Sequence, residues 1–446
     1  MHAHPGGHWN DAYSFVALHQ PSAFYGVNSM EFGDDVPDDY GPNAGFFPLA
    51  SGTEISAYFT QLVNRRFLPS GRVAYRKLTE WLGTDEDGTA RLRSILSGEE
   101  SAVHVRRKTV DATFYKTSVP ATHKRQYAVA DGVRMAIPGE LPDLWKHADD
   151  LPEHYVIVGA GKTAMDAGVW LLQAGVAAHD ITWVRPRDSW LINRAYTQPG
   201  PDHFEAVVGN QVAQLEAAAE AESGDEMFRI LGESGHMLRI DPDTEPTMFH
   251  YATISEGEVE LLRRIENVVR EGRVTSIEPG VLSFGQTRVA VPENSLFVDC
   301  TATAVPFSDD REHGPVFRGN RIVLQPLHVP LVTLSAAVCA FLEASFDSDD
   351  ERNALARPAP LTDTPNTYPL GMLGNFINRG AWSQNAAMSG WLARARLDPM
   401  GRTIAKLVAE GSPKLAALGR FQGAVAKGLP GLQRLARQAE AEHVAR

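Results

Sequence analysis

A glycine-rich turn between a predicted strand and a predicted helix is the part of the sequence best suited to hold a ligand. In YVIVGAGKTAMD, Gly159, Gly161 and Ala164 take the small positions of a G-x-G-x-x-[G/A] turn. The first glycine permits a tight turn, the second lets a pyrophosphate approach the backbone, and the third small residue lets helix and strand pack closely. Lys162 and Thr163 begin the helix, whose N–H groups face the phosphates. The turn therefore predicts a dinucleotide site.

Two alternatives to this interpretation exist. The letters GAGKT also resemble the end of a P-loop, which requires a glycine five residues before Gly161. Val156 stands at that position, inside the predicted strand, so the P-loop is excluded. A glycine turn that only joins a strand to a helix, without a ligand, stays open as the second alternative.

The strand after this helix ends in arginines. An NAD site prefers an acidic residue about 20 residues past the glycines, where it binds the ribose hydroxyls, whereas arginine suits the 2′-phosphate of NADP. In ITWVRPRD, Arg185 and Arg187 occupy this place, and guanidinium groups bind phosphate through paired donors. The sequence therefore favours NADP over NAD, with two solvated surface arginines as the alternative.

The elements that position this turn belong to a large globular chain. A length of 446 residues predicts at least two packed units. Hydrophobic residues make up 43% and charged residues 22%, which is enough apolar material for a substantial core. The 42 basic and 55 acidic residues give a formal net charge of −13. This acidic balance argues against a general nucleic-acid-binding protein.

Cysteine usage and apolar segments bear on the compartment. Cys300 and Cys339 are the two cysteines, and their spacing supports neither a disulfide framework nor a redox-active thiol pair. The beginning of the sequence lacks the long apolar stretch of a signal peptide, and the apolar window 329–344 is interrupted by Pro330 and Glu343. We therefore expect a cytoplasmic protein without a membrane span.

Hydrophobic periodicity predicts the order of the elements. Apolar positions at helical spacing predict a helix from Glu54 to about Arg66, and the change of pattern at Tyr155 predicts a strand–turn–helix–strand unit. The further predicted elements are helices at 211–232 and 255–269, strands in SLFVDCTATAVP and NRIVLQPLHVP, a linker at 347–367, and short C-terminal helices separated by Gly411, Gly428, Pro430 and Gly431.

The C-terminal segment differs in charge from the rest of the chain. Its last 46 residues contain eight Lys or Arg and three Glu. A helix at a membrane surface is one interpretation of such a segment. We favour packing against the chain's own body or against a second subunit, which leaves open a homo-oligomer formed through the C-terminal helices.

Three separated motifs carry a family resemblance. PGGHW near the start, GAGKTAMD in the middle and VDCTATAVP near residue 300 together resemble the flavin-dependent monooxygenase-like oxidoreductases over about residues 1–344. The resemblance implies an α/β fold with two Rossmann-like dinucleotide-binding domains, the NADP domain being inserted into a discontinuous FAD domain. It assigns 1–150 and 290–346 to the FAD domain, 151–289 to the NAD(P) domain, and 347–446 to a linker and helical C-terminal extension.

Site residues are carried over by this resemblance one at a time. Gly6, Gly7 and Trp9 match the family's glycine pair and tryptophan at the FAD site, and Gln20 lies nearest to an asparagine that stabilises the oxygenated flavin, with Asn28 further along. The family's first FAD glycine turn and ribose carboxylate have no counterpart in the sequence. We therefore expect an N-terminally truncated FAD domain, from a late start site or a truncated gene, that binds FAD poorly.

These observations lead to two hypotheses about function. In the first, as the resemblance implies, NADPH delivers hydride to FAD and the reduced flavin oxidises a small organic substrate; no catalytic acid or base is assigned. In the second, the chain is a non-catalytic NADP-binding sensor or a decayed paralogue. His2, His4 and His8 lack the fixed carboxylate or thiolate neighbours of a metal site, and no G-x-S-x-G motif supports a hydrolase.

Overall fold

A computed structural model describes residues 2–34, 36–115, 117–303 and 314–445. The last three residues of the VDCTATAVP motif, 304–306, lie outside this part of the chain. Its α-helices are α1 (Gly52–Leu62), α2 (Lys162–Gln173), α3 (Phe204–Glu220), α4 (Gly224–Glu233), α5 (Glu256–Arg263), α6 (Val332–Ser345), α7 (Asp349–Ala354), α8 (Tyr368–Gln384), α9 (Ala386–Leu392), α10 (Gly401–Ala409) and α11 (Ala416–Ala445).

The β-strands begin with a group that precedes the glycine turn. These are β1 (Thr79–Thr84), β2 (Thr89–Ser94), β3 (Glu100–His104), β4 (Thr109–Asp111), β5 (Ala128–Val129) and β6 (Arg134–Ala136). The later strands are β7 (His154–Val158), β8 (Ile181–Val184), β9 (Ser189–Asn193), β10 (Met237–Leu238), β11 (Met248–Ile254), β12 (Asn267–Val269), β13 (Ser276–Glu278), β14 (Val281–Phe284), β15 (Thr287–Ala290), β16 (Ser295–Asp299), β17 (Phe317–Arg318) and β18 (Arg321–Val323).

A five-stranded parallel sheet in the order β12-β8-β7-β16-β6 organises the fold. From β7 the chain passes through α2 to β8 and on to β12, and it then returns to β16 on the other side of β7. The two directions part between β7 and β16, which is the topological switch point of the sheet. Ligands of open parallel sheets bind at such a point, outside the carboxyl ends of the strands.

Burial explains why the central strands read as continuous apolar runs. Every residue of β7, β8 and β16 is buried, because helices and a second sheet cover both faces. One face packs on α2 and α5 through Leu171, Trp183 and Leu262. The other packs Val156 and Phe297 on the sheet β15-β14-β13-β5.

The remaining sheets are smaller. Strands β1, β2 and β3 form an antiparallel meander, β10 and β11 flank β9, and the sheet β17-β18-β4 contains the parallel pair β18 and β4. The predicted α/β class, with a Rossmann-like parallel sheet and a helical C-terminal end, is confirmed. The central sheet takes β6 from the 1–150 segment and β16 from the 290–346 segment, and the domain boundaries themselves stay a prediction.

Several predicted elements need correction. The helix expected from Glu54 is present as α1 followed by a π-helical turn at Val63–Phe67. The helix expected over 255–269 ends at Arg263, and its last residues form the strand β12 instead, since pairing with β8 outweighs the local periodicity. The expected linker 347–367 contains α7, which is capped by Ser348 and packs the buried side chain of Arg352.

From Ala416 onward, the C-terminal segment is one long helix rather than a series of short ones. Helix α11 runs through Gly428, Pro430 and Gly431, which were expected to interrupt it. The two glycines allow very close packing on α3, because a Cβ atom at Gly428 would lie 2.3 Å from the Leu215 carbonyl oxygen, and one at Gly431 would lie 2.1 Å from that of Ala218. Tertiary packing therefore offsets the weak helix propensity of this stretch.

Helix α11 buries its apolar side on the chain itself. Leu432 and Leu435 lie in one cluster with Leu215 of α3 and Met372 of α8. The predicted break at Gly411 is confirmed, since this residue lies between α10 and the 3₁₀ turn Pro413–Leu415 that precedes α11. None of the helices in the described ranges qualifies as a membrane-spanning segment.

The close contact between α11 and α3 gives a stability prediction. We expect Gly431→Ala to lower the free energy of unfolding by about 1–3 kcal/mol, because the added methyl group collides with the α3 backbone. Gly423→Ala is the matched control on the same helix, since nothing lies within 4 Å of its Cβ position. The control should leave stability unchanged or raise it by up to about 1 kcal/mol. Denaturant unfolding measures the free energy of unfolding of both variants. Equal values for Gly431→Ala and Gly423→Ala would contradict the close packing of α11 on α3.

Candidate functional site

A cavity of about 550 Å³ lies at the carboxyl edge of the central sheet. Its walls come from the segments that follow β7, β8, β12 and β16, together with residues 8–19 and 117–127. Because the strands are parallel, their carboxyl ends meet at this edge, and residues far apart in the sequence share one cavity. The cavity is in the size range of small-molecule and cofactor sites.

The glycine turn forms one side of this cavity. Gly159 has a φ angle of +136°, and a Cβ atom there would lie 2.5 Å from the Cys300 carbonyl oxygen, so only glycine fits between the neighbouring strands. Gly161 is the N-cap residue of α2, and nothing lies within 4 Å of its Cβ position. The first amides of α2 have no intrahelical acceptor. Open space therefore meets a helix N-terminus at Gly161.

A buried ion cluster lies beside the turn. The Lys162 ammonium pairs with Asp166 on the next turn of α2 and lies 3.3 Å from Glu258 Oε1, while Arg194 Nη2 lies 2.6 Å from Glu258 Oε2. Burial alone would raise the pKa of Glu258, but the charges of Lys162 and Arg194 lower it to about 2. Two cations and two carboxylates thus neutralise one another next to the cavity.

Hydrogen bonds connect this cluster to residues 13–19. The Tyr13 hydroxyl donates to Asp166 Oδ2 at 2.7 Å, and Arg194 Nε donates to the His19 carbonyl oxygen at 3.2 Å. Burial and the nearby charge of Lys162 lower the pKa of His19 to about 4, so its imidazole is neutral at pH 7. Tyr13, His19 and Lys162 all line the cavity, and the cluster therefore holds one of its walls in place.

An irregularity in β11 supplies another wall. The pairing of β11 with β9 shifts register between Phe249 and Thr253, and His250 and Tyr251 line the cavity at this point. Tyr251 has a φ angle of +56°, which is uncommon for a residue with a side chain. Its hydroxyl lies 2.9 Å from Thr362 Oγ1. Irregular strands of this kind occur next to functional sites.

The two arginines expected to bind phosphate lie in different surroundings. Arg187 is exposed and lines the cavity. Arg185 is buried behind it, with Nε 2.9 Å from Asp188 Oδ1 and its guanidinium 4.7 Å from the centre of the Trp183 ring. The structure therefore brings Arg187 together with the glycine turn and leaves Arg185 off the cavity wall.

The other predicted site residues divide in the same way. Trp9, Gly161, Lys162 and Thr163 line the cavity together with Gly159, whereas the wall does not include Gly6, Gly7, Gln20 or Ala164. Gly6 and Gly7 have φ angles of +119° and +57° and precede Trp9, whose Nε1 donates to the Tyr25 hydroxyl at 2.7 Å. Ala164 is fully buried, as its expected role between helix and strand requires.

Sequence reasoning missed several cavity residues. Tyr13, His19, His250 and Arg273 line the cavity, and Glu258 anchors its wall. Arg273 follows β12, and a strand assignment at 267–269 would have placed it at the carboxyl edge. The others carry no local motif, because they are brought together only by folding. Among the described residues, no group of three His, Cys, Asp or Glu side chains is arranged to hold a metal ion.

Comparison with known proteins identifies relatives. The chain is 41% identical over 394 residues to the uncharacterized proteins Rv2000 of Mycobacterium tuberculosis and Mb2023 of Mycobacterium bovis. The match covers 88% of this chain and 71% of each relative. The chain therefore belongs to the protein family that includes these mycobacterial proteins. No protein-family profile matches it.

Solved structures resemble the chain more distantly. They include Tmm of Pelagibacter sp. strain HTCC7211, with 10% identity, coverage of 89% of this chain and 81% of that chain, and a TM-score of 0.43. The cadaverine monooxygenase DfoA of Erwinia amylovora, bound to FAD, shows 10% identity, coverage of 86% and 88%, and a TM-score of 0.36. L-lysine 6-monooxygenase of Pseudomonas syringae shows 13% identity, coverage of 67% and 77%, and a TM-score of 0.35. Because all three TM-scores are below 0.5, these similarities carry no argument about function, which is inferred below from this chain's own residues.

The ion cluster gives a prediction about pH. Because the folded-state pKa of Glu258 lies at about 2, below its usual 4.5, Glu258 stabilises the protein above pH 4.5 and loses this contribution as the pH falls through about 2. We expect Glu258→Gln to lower the free energy of unfolding at pH 7 by roughly 3 kcal/mol, since two buried cations lose a partner. The variant should also show a smaller loss of stability between pH 4.5 and pH 2.

The control for this prediction lies on the same helix. Glu260 is exposed on α5, so Glu260→Gln should leave both the stability and its pH dependence close to those of the unmodified chain. Urea unfolding at a series of pH values measures all three proteins. If Glu258→Gln and Glu260→Gln behave alike, the ion cluster does not carry the stabilisation assigned to it.

Proposed function

We propose that the chain is an oxidoreductase that binds NADPH at the glycine turn. The observation that carries the proposal is the open approach to Gly161, where a helix N-terminus faces a cavity at the switch point of a parallel sheet. A pyrophosphate fits this place because backbone N–H groups and the helix dipole both favour negative charge. Lys162 is neutralised by two carboxylates, so the amides rather than its ammonium would contact the pyrophosphate.

The choice of NADP over NAD depends on the cation at the end of β8. Arg187 lies on the cavity wall, three residues beyond Val184, and this position supports a contact with a 2′-phosphate. No carboxylate occupies the position at which an NAD site holds the ribose hydroxyls. We accordingly assign NADPH as the nicotinamide cofactor.

A second cofactor, FAD, is proposed from the sequence resemblance, and the part of the cavity wall formed by residues 8–19, 117–127 and 300–303 is the proposed place for it. Trp9 and Tyr13 give this wall aromatic surface, and Val119 and Thr301 add short apolar and polar side chains. Such a mixed lining suits a flavin ring. FAD, when bound, supplies the ring that accepts hydride. Gly6, Gly7 and Gln20 stay proposed FAD contacts from the resemblance.

The chain's own residues would position the cofactors. The ion cluster holds the wall at residues 13–19 rigid, and the neutral imidazole of His19 adds no charge to it. His250 and Tyr251 line the cavity at the register shift of β11, and we propose them as substrate contacts. The proposed reaction is a monooxygenase-like oxidation of a small organic substrate.

The test begins with the purified protein. Absorbance bands of bound flavin that bleach when NADPH is added without oxygen would support the oxidoreductase. Colourless protein that binds NADPH, but retains no flavin absorbance after incubation with FAD and removal of the unbound FAD, would support the non-catalytic NADP-binding protein instead. Protein that binds neither nucleotide would contradict both.

Gly161 offers a sharper test of the pyrophosphate contact. We expect Gly161→Ala to fold normally, since nothing in the protein lies within 4 Å of the new methyl group and the φ angle of −84° suits any residue. The methyl group would occupy the approach of the pyrophosphate, so the Kd for NADPH should rise at least about tenfold.

The matched control is Gly209→Ala on α3, which also has open space around its Cβ position. Calorimetric titration with NADPH and thermal unfolding compare the two variants. Unchanged NADPH affinity in folded Gly161→Ala would refute binding at this turn.

A further inference from the structure

We propose that Arg273 pairs with Arg187 to form the anion site that distinguishes NADPH from NADH, and that Arg185 is instead a structural residue. This inference rests on the proposed function. It names the residue that would select the phosphorylated nucleotide, which the sequence motifs did not single out.

The sheet places Arg187 and Arg273 on adjacent strand ends. Strands β8 and β12 are parallel neighbours, with Val184 paired to Val269 at their carboxyl ends. Arg187 follows Val184 by three residues and Arg273 follows Val269 by four. Both side chains are exposed, and both line the cavity that contains the glycine turn.

Two other arginines at the same strand ends are already paired. Arg185 Nε lies 2.9 Å from Asp188 Oδ1, and Arg270 Nη2 lies 2.6 Å from Asp241 Oδ2. Cross-pairs complete the group, since Arg270 Nη2 also lies 3.4 Å from Asp188 Oδ2 and Arg185 Nη2 lies 3.9 Å from Asp241 Oδ2. The charges of these two arginines and two aspartates cancel, so the group has no net positive charge with which to attract a ligand.

The buried position of Arg185 also argues against contact with a phosphate. Only 3% of this residue is exposed, and its guanidinium stacks on Trp183 in the core of the sheet. Withdrawing it toward a ligand would leave Asp188, which is also buried, with one partner fewer. Removing a partner from a buried charge is strongly destabilising.

Arg187 and Arg273, by contrast, keep their charge for a ligand. Within the described ranges, neither has an ion pair with a carboxylate. An uncompensated pair of guanidiniums on a cavity wall attracts a dianion.

The chemistry of the ligand follows from this arrangement. A 2′-phosphate carries close to two negative charges and presents several acceptor oxygens, which two planar guanidiniums can bind with paired hydrogen bonds. The 2′-hydroxyl of NADH offers no such charge. The pair should therefore strengthen NADPH binding and leave NADH binding almost unchanged.

The experiment compares both nucleotides in calorimetric titrations of the full chain. We expect Arg273→Gln to raise the Kd for NADPH at least about tenfold while changing the Kd for NADH less than about threefold. Arg273→Lys keeps the positive charge but loses the planar guanidinium donors. Its Kd for NADPH should therefore lie between that of Arg273→Gln and that of the unmodified chain. The probe 2′-phospho-AMP should lose affinity for Arg273→Gln in parallel with NADPH.

The matched control is Arg264→Gln. Arg264 is exposed at the end of α5, just before β12, and therefore lies toward the opposite edge of the sheet. Arg264→Gln should leave the Kd values for NADPH and for NADH unchanged. If the ratio of the Kd for NADH to the Kd for NADPH is the same in Arg273→Gln as in the unmodified chain, the inference is overturned, while the proposal that the chain binds NADPH stands. If the unmodified chain binds neither nucleotide, both the proposed function and the inference about Arg273 are wrong.

Discussion

The close approach of Gly159 to Cys300 is the constraint on which the cavity depends. At the switch point, the turn after β7 passes so near the end of β16 that a single methyl group on Gly159 would collide with the Cys300 carbonyl oxygen. This contact brings the glycine turn and the segment after β16 to the same edge of the sheet. The remaining walls then follow from the parallel direction of β8 and β12.

Electrostatics at this edge follow a simple division between paired and unpaired charges. One compensated group contains Lys162, Asp166, Glu258 and Arg194, and the other contains Arg185, Asp188, Arg270 and Asp241. The first group is almost entirely buried, and in the second group Arg185 and Asp188 are buried while Arg270 and Asp241 are partly exposed. An unpaired charge at the buried positions would be very unfavourable. The charges without a carboxylate partner among the described residues are on the exposed wall, which is why we propose the second arginine after each strand, rather than the first, as the nucleotide contact.

The C-terminal helix contributes to the site indirectly. Helix α11 packs on α3 and α8, and the cluster of side chains that it covers extends to Tyr251 on the cavity wall. A Cβ atom at Gly371 of α8 would lie 2.8 Å from the Tyr251 hydroxyl, so the wall at the irregular part of β11 rests on the C-terminal helices. A segment outside the motifs thereby supports this part of the cavity wall.

The sequence by itself determined the features whose information is local. The spacing of Gly159, Gly161 and Ala164 between an apolar run and a helix specifies the turn, because each small residue meets a steric requirement within a few positions. Longer-range features were decided by tertiary structure. Residues 267–269 became a strand through pairing with β8, and α11 continued past Gly428 and Pro430 because glycines fit against α3.

The roles of the arginines were decided in the same way. Arg185 pairs with Asp188, only three residues further along the chain, but Asp188 is shared with Arg270 and Asp241 lies 3.9 Å from Arg185, and these two partners reach the group only in the folded chain. Charges interact through space, so a sequence can show that arginines stand at the end of a strand but cannot show which of them remain unpaired. Only the packed sheet, with its strand ends side by side, decided that.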